Sequence, residues 1–353
     1  MTRQRLPDPW RFPQGGSHPL LDLAATRPES ALVDAMRERL DRRADEDVRQ
    51  AFGAAPDRGT YGRLWRALCA AAEEPGASED KVGTAVFALP VVIVTGSSGA
   101  ATLPGVLSDV TALAGVLQQA GALGANRSFG FSNALASLET LERLPPSTVR
   151  GWQRGAEADA AARVIAPEPA AVRAGEHVHL RFLVGAAITV AGAPTVAETA
   201  SHVGAWGMRF ARELGVQLAS PGIELLALPR PPAGILRAAY HGRRAQLDVA
   251  LNLFLSNTVR RIRTCVGDPA AVLSAHSFDS GAGELRISLG SPFDEDLVEG
   301  FRLPLHPLDD PDAVTADVEE LLGACRVTDI TRVRRVLPDD IGGGGRFPPR
   351  SSP

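Results

Sequence analysis

The sequence predicts a mixed α/β protein, with a helical N-terminal half around one buried strand region and a ferredoxin-like α/β C-terminal half. Apolar residues recur every three to four positions in the N-terminal half, which is typical of amphipathic helices. In the C-terminal half, short apolar runs alternate with helical patterns, and such alternation is typical of α/β layering. Apolar residues make up 44% of the 353 residues, which is enough to build a core.

The N-terminal half contains one strand between helices. Apolar spacing predicts helices over residues 28–52 and 60–72. Residues 84–95 are rich in valine and isoleucine and predict a buried strand. Two further helices are predicted over residues 109–120 and 133–144.

The C-terminal half alternates more regularly. Asp310 and Pro311 predict the start of its last helix, with aspartate as the N-cap and proline in the first turn. The final order of strand, strand, helix and strand resembles half of a ferredoxin-like unit. The predicted strands cover residues 178–190, 224–228, 272–278, 284–289, 298–303 and 327–336, and the helices cover 197–214, 234–259 and a segment from 310.

Proline and glycine divide the chain. Residues 1–25 contain several prolines, which disfavour helix and predict an extended arm. Residues 26–165 then form an N-terminal helical and α/β domain, and residues 170–341 form a C-terminal α/β domain. The segment Ala166-Pro167-Glu168-Pro169 between them is typical of a linker. The glycine-rich residues 342–353 predict a flexible tail.

Composition excludes several function classes. The net charge of −4 lacks the basic balance of a dedicated nucleic-acid binder, so nucleic acid is not an expected partner. Lys81 is the single lysine, which argues against Schiff-base chemistry and a phosphate-loop lysine. Cys69, Cys265 and Cys325 form no Cys-x-x-Cys pair and fit a reducing compartment. No apolar run suits a signal peptide or a membrane span, so we expect a cytoplasmic location.

A Gly/Ser loop follows the buried strand and is the candidate cofactor site. It stands between that strand and the helix predicted over 109–120, where backbone N–H groups and a helix N-terminus favour a pyrophosphate. The predicted cofactor-binding residues are Thr95, Gly96, Ser97, Ser98 and Gly99.

This loop resembles the Thr-Gly-x-x-Gly-x-x-Gly loop of extended short-chain dehydrogenases, and the resemblance implies a dinucleotide site. Thr102 replaces the third glycine. Tyr61 and Tyr240 have no lysine four residues later, so the Tyr-x-x-x-Lys pair of that family is absent. A plain loop is the alternative interpretation, and no cofactor is predicted.

Two histidines have a spacing that suits a metal. His177 and His179 lie two apart in a predicted strand and therefore share a face. No third ligand is close in sequence, so no metal site is predicted, and alternating polar residues on a solvent face are the alternative. His202 and His241 fall in predicted helices and could complete a site only if folding brought them close.

Two short basic runs could meet phosphate or an acidic partner. They are Arg260-Arg261-x-Arg263 and Arg332-x-Arg334-Arg335. Arg332 and Arg334 flank a valine, which is an ordinary two-faced strand pattern. The sequence does not decide whether the two runs form one surface.

The terminal segments share an aromatic and proline-rich character. Trp10 and Phe12 near the start, and Phe347 near the end, stand beside prolines. Such segments dock into a partner's groove at little ordering cost, so these three residues are the predicted partner-binding residues. Flexible tails are the alternative.

From residue 271 onward, the order of features resembles an uncharacterised proteobacterial family of unknown function. The resemblance implies a cysteine-rich end after the last strand, but Ile341-Gly342-Gly343-Gly344-Gly345 stands there instead, so no metal role is implied. The resemblance supplies no activity. Its features are Glu284-Leu285-Arg286-Ile287, residues 298–305, Leu321-Leu322, residues 325–330 and Leu337-Pro338.

Together these observations favour a non-catalytic protein-binding or scaffold protein of the bacterial cytoplasm. It would act through a protein partner or self-association. The sequence contains no recognisable catalytic constellation, so it leaves open whether the protein is an enzyme and favours that it is not. The alternative is a nucleotide- or dinucleotide-binding enzyme or sensor that uses the loop over residues 96–99.

Overall fold

A computed structural model gives the architecture. It describes residues 17–73, 82–122, 128–154, 168–190, 202–265, 267–277, 283–291 and 294–333. The helices are α1 (Pro19–Thr26), α2 (Glu29–Asp41), α3 (Asp45–Gly53), α4 (Arg58–Glu73), α5 (Val110–Gln119), α6 (Leu138–Arg143), α7 (Pro146–Arg154), α8 (Val203–Leu218), α9 (Ile235–Cys265) and α10 (Pro311–Ala324). The strands are β1 (Val82–Ser97), β2 (Ala101–Leu103), β3 (Ser128–Ala136), β4 (Ala170–Val172), β5 (Gly175–Val190), β6 (Ile223–Pro229), β7 (Ala270–Ser277), β8 (Gly283–Ser291), β9 (Asp294–Leu305) and β10 (Asp329–Val333). The mixed α/β class is confirmed.

The chain divides into two compact units. The central unit comprises Thr26–Gln50 and Trp65–Val249, and the C-terminal unit comprises Met1–Ala25, Ala51–Leu64 and Ala250–Pro353. The predicted domains, with their boundary at 166–169, stay a prediction; β1, before that segment, pairs with β5, after it, along its whole length. Prolines interrupt local structure, but they do not determine which strands pair across the interruption.

The central unit is built around an antiparallel sheet with the strand order β3-β5-β1-β6. Strand β1 is buried on both faces, which explains its nearly continuous apolar sequence. On one face, Phe87 and Ile93 share a core cluster with Leu113 of α5 and Phe210 of α8. On the other face, Phe182 of β5 lies under α9.

Several helices and segments predicted from the sequence differ from those in the structure. The helix predicted over 133–144 begins as β3, because pairing with β5 supplies its backbone hydrogen bonds and overrides the local apolar spacing. The helix predicted over 28–52 is divided into α2 and α3 near Arg43, whose φ of 56° is left-handed. Residues 19–25 of the predicted arm belong to α1. The predicted tail, 342–353, lies outside the described residues.

The C-terminal unit contains a second sheet with the strand order β10-β7-β8-β9. Strands β7, β8 and β9 form an antiparallel meander, and β10 runs parallel to β7. Helix α10 starts as predicted, with Asp310 accepting a hydrogen bond from Asp312 N at 3.1 Å and Pro311 in the first turn. The order β8, β9, α10, β10 matches the predicted order, while the ferredoxin-like topology stays a prediction.

We expect Gly185→Ala to destabilise the central unit by about 1–3 kcal/mol, because overpacking forces neighbours to shift. A Cβ at this position would lie 2.6 Å from Phe87 Cζ and 3.0 Å from the carbonyl oxygen of Gly130. Urea unfolding followed by tryptophan fluorescence measures the change. Gly130→Ala is the matched control in the same sheet, because a Cβ there meets no atom within 4 Å. Equal midpoints for the two variants would contradict the packing argument.

Candidate functional site

The Gly/Ser loop does not precede a helix. Thr95, Gly96 and Ser97 belong to β1, and the chain continues through Gly99 into β2. The backbone N–H of Gly99 donates to Ser97 Oγ at 3.2 Å. The next helix, α5, begins at Val110, close to the predicted start at 109, and strand β2 lies between it and the loop. Nucleotide binding stays a prediction for Thr95, Gly96, Ser97, Ser98 and Gly99. The structure places a strand, β2, and not a helix N-terminus directly after this loop.

Two of the four histidines noted in the sequence lie together. His177 and His179 share a face of β5, as predicted, with ring centroids 6.3 Å apart. His179 Nε2 lies 3.3 Å from Oγ1 of Thr95, whose side chain is fully buried. Burial and the neighbouring Arg181 lower the pKa of His179, so the ring is neutral near pH 7.

This histidine pair is not extended into a metal centre. His202 is the N-cap residue of α8, and His241 lies on α9, which packs on the other face of the sheet. Within the described ranges, no group of three histidine, cysteine or carboxylate side chains is placed to hold a metal ion. The four histidines therefore do not converge.

Sequence analysis missed a buried polar cluster on the second sheet. Ser274 Oγ lies 2.9 Å from His276 Nε2, and Glu284 stands directly opposite His276 in the strand register. Glu284 forms an ion pair with Arg286. Burial, Arg286 and Arg302 lower the pKa of His276 to about 4. Alternation along three strands could have revealed this face, but only once the register was known.

Ser274 and His276 lie as close together as a nucleophile and its general base, but a substrate cannot reach them. Ser274 is 1% exposed and His276 is 2% exposed, so a substrate cannot reach the hydroxyl. A histidine with a pKa near 4 is also a weak general base at neutral pH. We therefore interpret the cluster as an internal polar network.

A second buried carboxylate, Glu73, caps a helix from outside that helix. Its Oε1 accepts hydrogen bonds from the backbone N–H groups of Leu236 at 2.6 Å and Arg237 at 3.1 Å, in the first turn of α9. Its Oε2 lies 3.3 Å from Arg237 Nε. Burial raises the pKa of Glu73, and burial with the Glu73 charge raises the pKa of the Cys69 thiol. Cys69 is therefore a protonated packing residue and not a nucleophile.

One edge of the central sheet is an unpaired strand with an exposed apolar side chain. Strand β6 stands at the end of the strand order and has no second neighbour among the described strands. Leu226 in this strand is 56% exposed. On α8, which packs against β6, Met208 and Val216 are 75% and 70% exposed. We call Leu226 and the free side of β6 the β6 edge.

Helix α8 packs on one face of β6. A Cβ on Gly207 would lie 3.5 Å from Pro229 Cγ, and one on Gly215 would lie 3.9 Å from Leu225 Cδ2, so these two glycines face β6. Each following residue is turned by about 100° around the helix axis. Met208 and Val216 therefore project away from the core side of α8, where Phe210 is fully buried. Leu226 lies on the opposite face of β6 from α8, because it alternates with Leu225 and Ala227, which pack on the α8 side.

The predicted partner-binding residues Trp10, Phe12 and Phe347 lie outside the described residues. No described helix has the length and hydrophobicity that crossing a bilayer requires. Comparison with protein-family models, with curated proteins and with solved structures found no match to this chain.

We expect the C-terminal unit to lose stability as the pH falls from 6.5 towards 4, because of His276. Its pKa is about 4 in the folded chain against an ordinary 6.5, so between these values the unfolded chain binds the proton more readily. Scanning calorimetry of the wild type and His276→Gln across this range isolates the effect. The wild type should lose stability relative to the variant on acidification, and parallel profiles would refute the assignment.

We expect Glu73→Ala to destabilise the central unit by about 1–2 kcal/mol, the usual cost of losing a helix cap. Gly234→Ala should also destabilise it, because a Cβ there would lie 2.2 Å from Glu73 Cδ and Oε2. Since the three nearest atoms to that Cβ all belong to Glu73, the double variant should lose less than the sum of the two single variants. Additive losses in urea unfolding would contradict this contact.

Proposed function

We propose that the chain is a non-catalytic binding protein of the bacterial cytoplasm that acts through protein contacts at the β6 edge. One observation carries this proposal. Among the described residues, five large apolar side chains are exposed, and Leu226 on the unpaired strand β6 is one of them. Single exposed apolar residues are common, so it is the unpaired backbone beside Leu226 that indicates an interaction site.

The free strand supplies the means of contact. An edge strand presents unpaired N–H and C=O groups, and natural proteins commonly block such edges with charged residues or proline. Strand β6 carries one charged residue, Glu224, and its proline, Pro229, stands at the last position. The four residues between them are uncharged, so the strand can accept another strand by backbone pairing.

The proposed partner at the β6 edge is a second copy of this chain. Antiparallel pairing about a two-fold axis at Leu226 places this residue opposite itself, and Glu224 opposite Leu228 of the second copy. The like charges of the two Glu224 residues are thereby kept apart, as a self-complementary interface requires.

This register also brings opposite charges together. Arg230 continues the strand register, because its N–H donates to the carbonyl oxygen of Pro90 at 2.8 Å. In the symmetric pair, Arg230 of one copy is the diagonal neighbour of Glu224 of the other, within reach of a long side chain. In the described part of the chain, Arg230 Nε is buried without a hydrogen-bond partner. Charge complementarity therefore favours this occupant.

Sedimentation equilibrium over a concentration series tests the proposal. We expect the wild type to dimerise and Leu226→Glu to weaken dimerisation at least ten-fold, because a charge would be desolvated at the two-fold axis. Val106→Glu is the matched control, since Val106 is also exposed, at 45%, but belongs to no part of the β6 edge. A wild type that stays monomeric at about 100 μM, or a dimer that Leu226→Glu leaves intact, would refute the proposal.

A charge exchange tests the register itself. Glu224→Arg should weaken the dimer, because it places two arginines at each diagonal contact. Adding Arg230→Glu should restore it, since the opposite charges are then exchanged. Thermal unfolding of each variant checks that the monomer fold is retained. Failure of the second substitution to restore dimerisation in a folded variant would refute the antiparallel register centred on Leu226.

A further inference from the structure

The C-terminal unit contains an open cleft that the protein-contact proposal does not use. The cleft has a volume of about 400 Å³, which lies within the range of small-molecule sites. It is formed where the last turns of α9 approach the end of α10. Its lining residues are Ser256, Val259, Arg260, Arg263, Thr264, Ala324, Cys325 and Arg326.

Three arginines make this cleft basic. Arg260 and Arg263 lie three residues apart on α9 and therefore on neighbouring positions of one helix face. Arg263 Nη2 donates to the carbonyl oxygen of Arg326 at 3.0 Å, which ties the two chain segments together. Within the described ranges, the guanidinium groups of Arg260 and Arg326 have neither a hydrogen-bond acceptor nor a carboxylate partner.

Two acidic residues of the same unit, Glu299 and Glu319, pair with arginines outside the cleft. Arg261, next to the cleft arginines, forms an ion pair with Glu299, and Arg332 pairs with Glu319 at 2.6 Å. Arg332 therefore does not join the 260–263 run in one free surface, and Arg334 and Arg335 lie outside the described residues. The carboxylate nearest the cleft arginines is that of Asp268, 3.3 Å from Arg263 Nε and 93% exposed.

The balance of charge in the cleft is positive. Three arginines contribute three full positive charges, and Asp268 removes one. The two helix C-termini add roughly half a negative charge each, which works against an anion. A positive remainder of about one charge is left, and in an open cleft it attracts an anion of small size.

The arginine side chain of Arg326 is not needed to end helix α10. Arg326 adopts a left-handed φ of 59°, a conformation that glycine or asparagine normally provides after a helix. Its N–H donates to Gly323 O at 2.8 Å, and the N–H of Val327 donates to Leu322 O at 2.9 Å. Glycine would make the same two hydrogen bonds with less strain.

We propose that this cleft binds a phosphate-bearing small molecule, with Arg260, Arg263 and Arg326 contacting the phosphate oxygens. The planar donors of guanidinium match the oxygens of a phosphate in pairs. Phosphate fills only part of the volume, and the exposed Ala324 offers apolar surface for an organic remainder. No aromatic side chain lines the cleft, so it lacks the stacking surface that single-stranded nucleic acid requires.

Cysteine alkylation in the presence of inorganic phosphate tests occupancy at the cleft itself. Cys325 lines the cleft and is partly exposed, whereas Cys265 is exposed but is not a lining residue. Iodoacetamide modification followed by mass spectrometry reads both thiols in one sample. We expect saturating phosphate to slow modification of Cys325 several-fold and to leave Cys265 unchanged, relative to chloride at equal ionic strength.

Two variants assign the binding to the arginines. Arg326→Gly removes the guanidinium and suits the left-handed backbone, so the fold is retained. Arg43→Gly is the matched control, because Arg43 also has a left-handed φ, 56°, after a helix and belongs to the central unit. We expect Arg326→Gly and Arg260→Gln each to weaken phosphate binding roughly ten-fold, the usual effect of one charged hydrogen-bond donor, and Arg43→Gly to leave it unchanged.

Each outcome of this experiment either supports or overturns the phosphate site. Saturable protection of Cys325 that is weakened by Arg326→Gly and Arg260→Gln, but not by Arg43→Gly, supports the site. No protection at any phosphate concentration overturns it. Equal protection in all variants, or equal loss in the Arg43→Gly control, overturns it as well, because the anion would then act elsewhere or through net charge alone. The β6 edge belongs to the central unit, so dimerisation and phosphate binding can fail independently.

Discussion

The pairing of β1 with β5 is the constraint on which the central unit depends. The two strands are antiparallel partners along all of β1, from Val82 opposite Val190 to Ser97 opposite Gly175. This pairing buries β1 on both faces and places helices on each side of it. It also fixes the register of every neighbouring side chain. The approach of Gly185 to Phe87, the contact of Thr95 with His179 and the edge position of β6 all follow from this one strand pair.

Buried polar groups in this protein serve the architecture. Glu73 supplies hydrogen bonds to the first turn of α9, whose N–H groups have no partners inside the helix. Ser274 and His276 satisfy each other inside the second sheet. Because unpaired buried polar groups are costly, such contacts restrict the alternatives that the chain can adopt. Their burial also separates them from any substrate, which is why they do not support a catalytic function.

The candidate functional surfaces are places where ordinary pairing is left incomplete. At the β6 edge, unpaired backbone groups of the strand are exposed together with the side chain of Leu226. In the C-terminal unit, arginines line a cleft while neighbouring carboxylates pair with other arginines. Both surfaces are therefore defined by missing partners within the described residues, and each specifies the chemistry of the partner that would complete it. A strand completes the first, and an oxyanion completes the second.

The sequence by itself determined the α/β class, the buried strand and local features such as the start of α10, because apolar periodicity and capping act over a few residues. It also identified the shared face of His177 and His179, which follows from alternation alone. Only the tertiary structure decided the unit boundaries, the strand identity of residues 133–136 and the position of the Gly/Ser loop away from a helix. It alone brought Arg326 to Arg260 and left β6 at an edge. These features depend on contacts between residues far apart in the chain, whose free energy outweighs local propensity and leaves no local pattern.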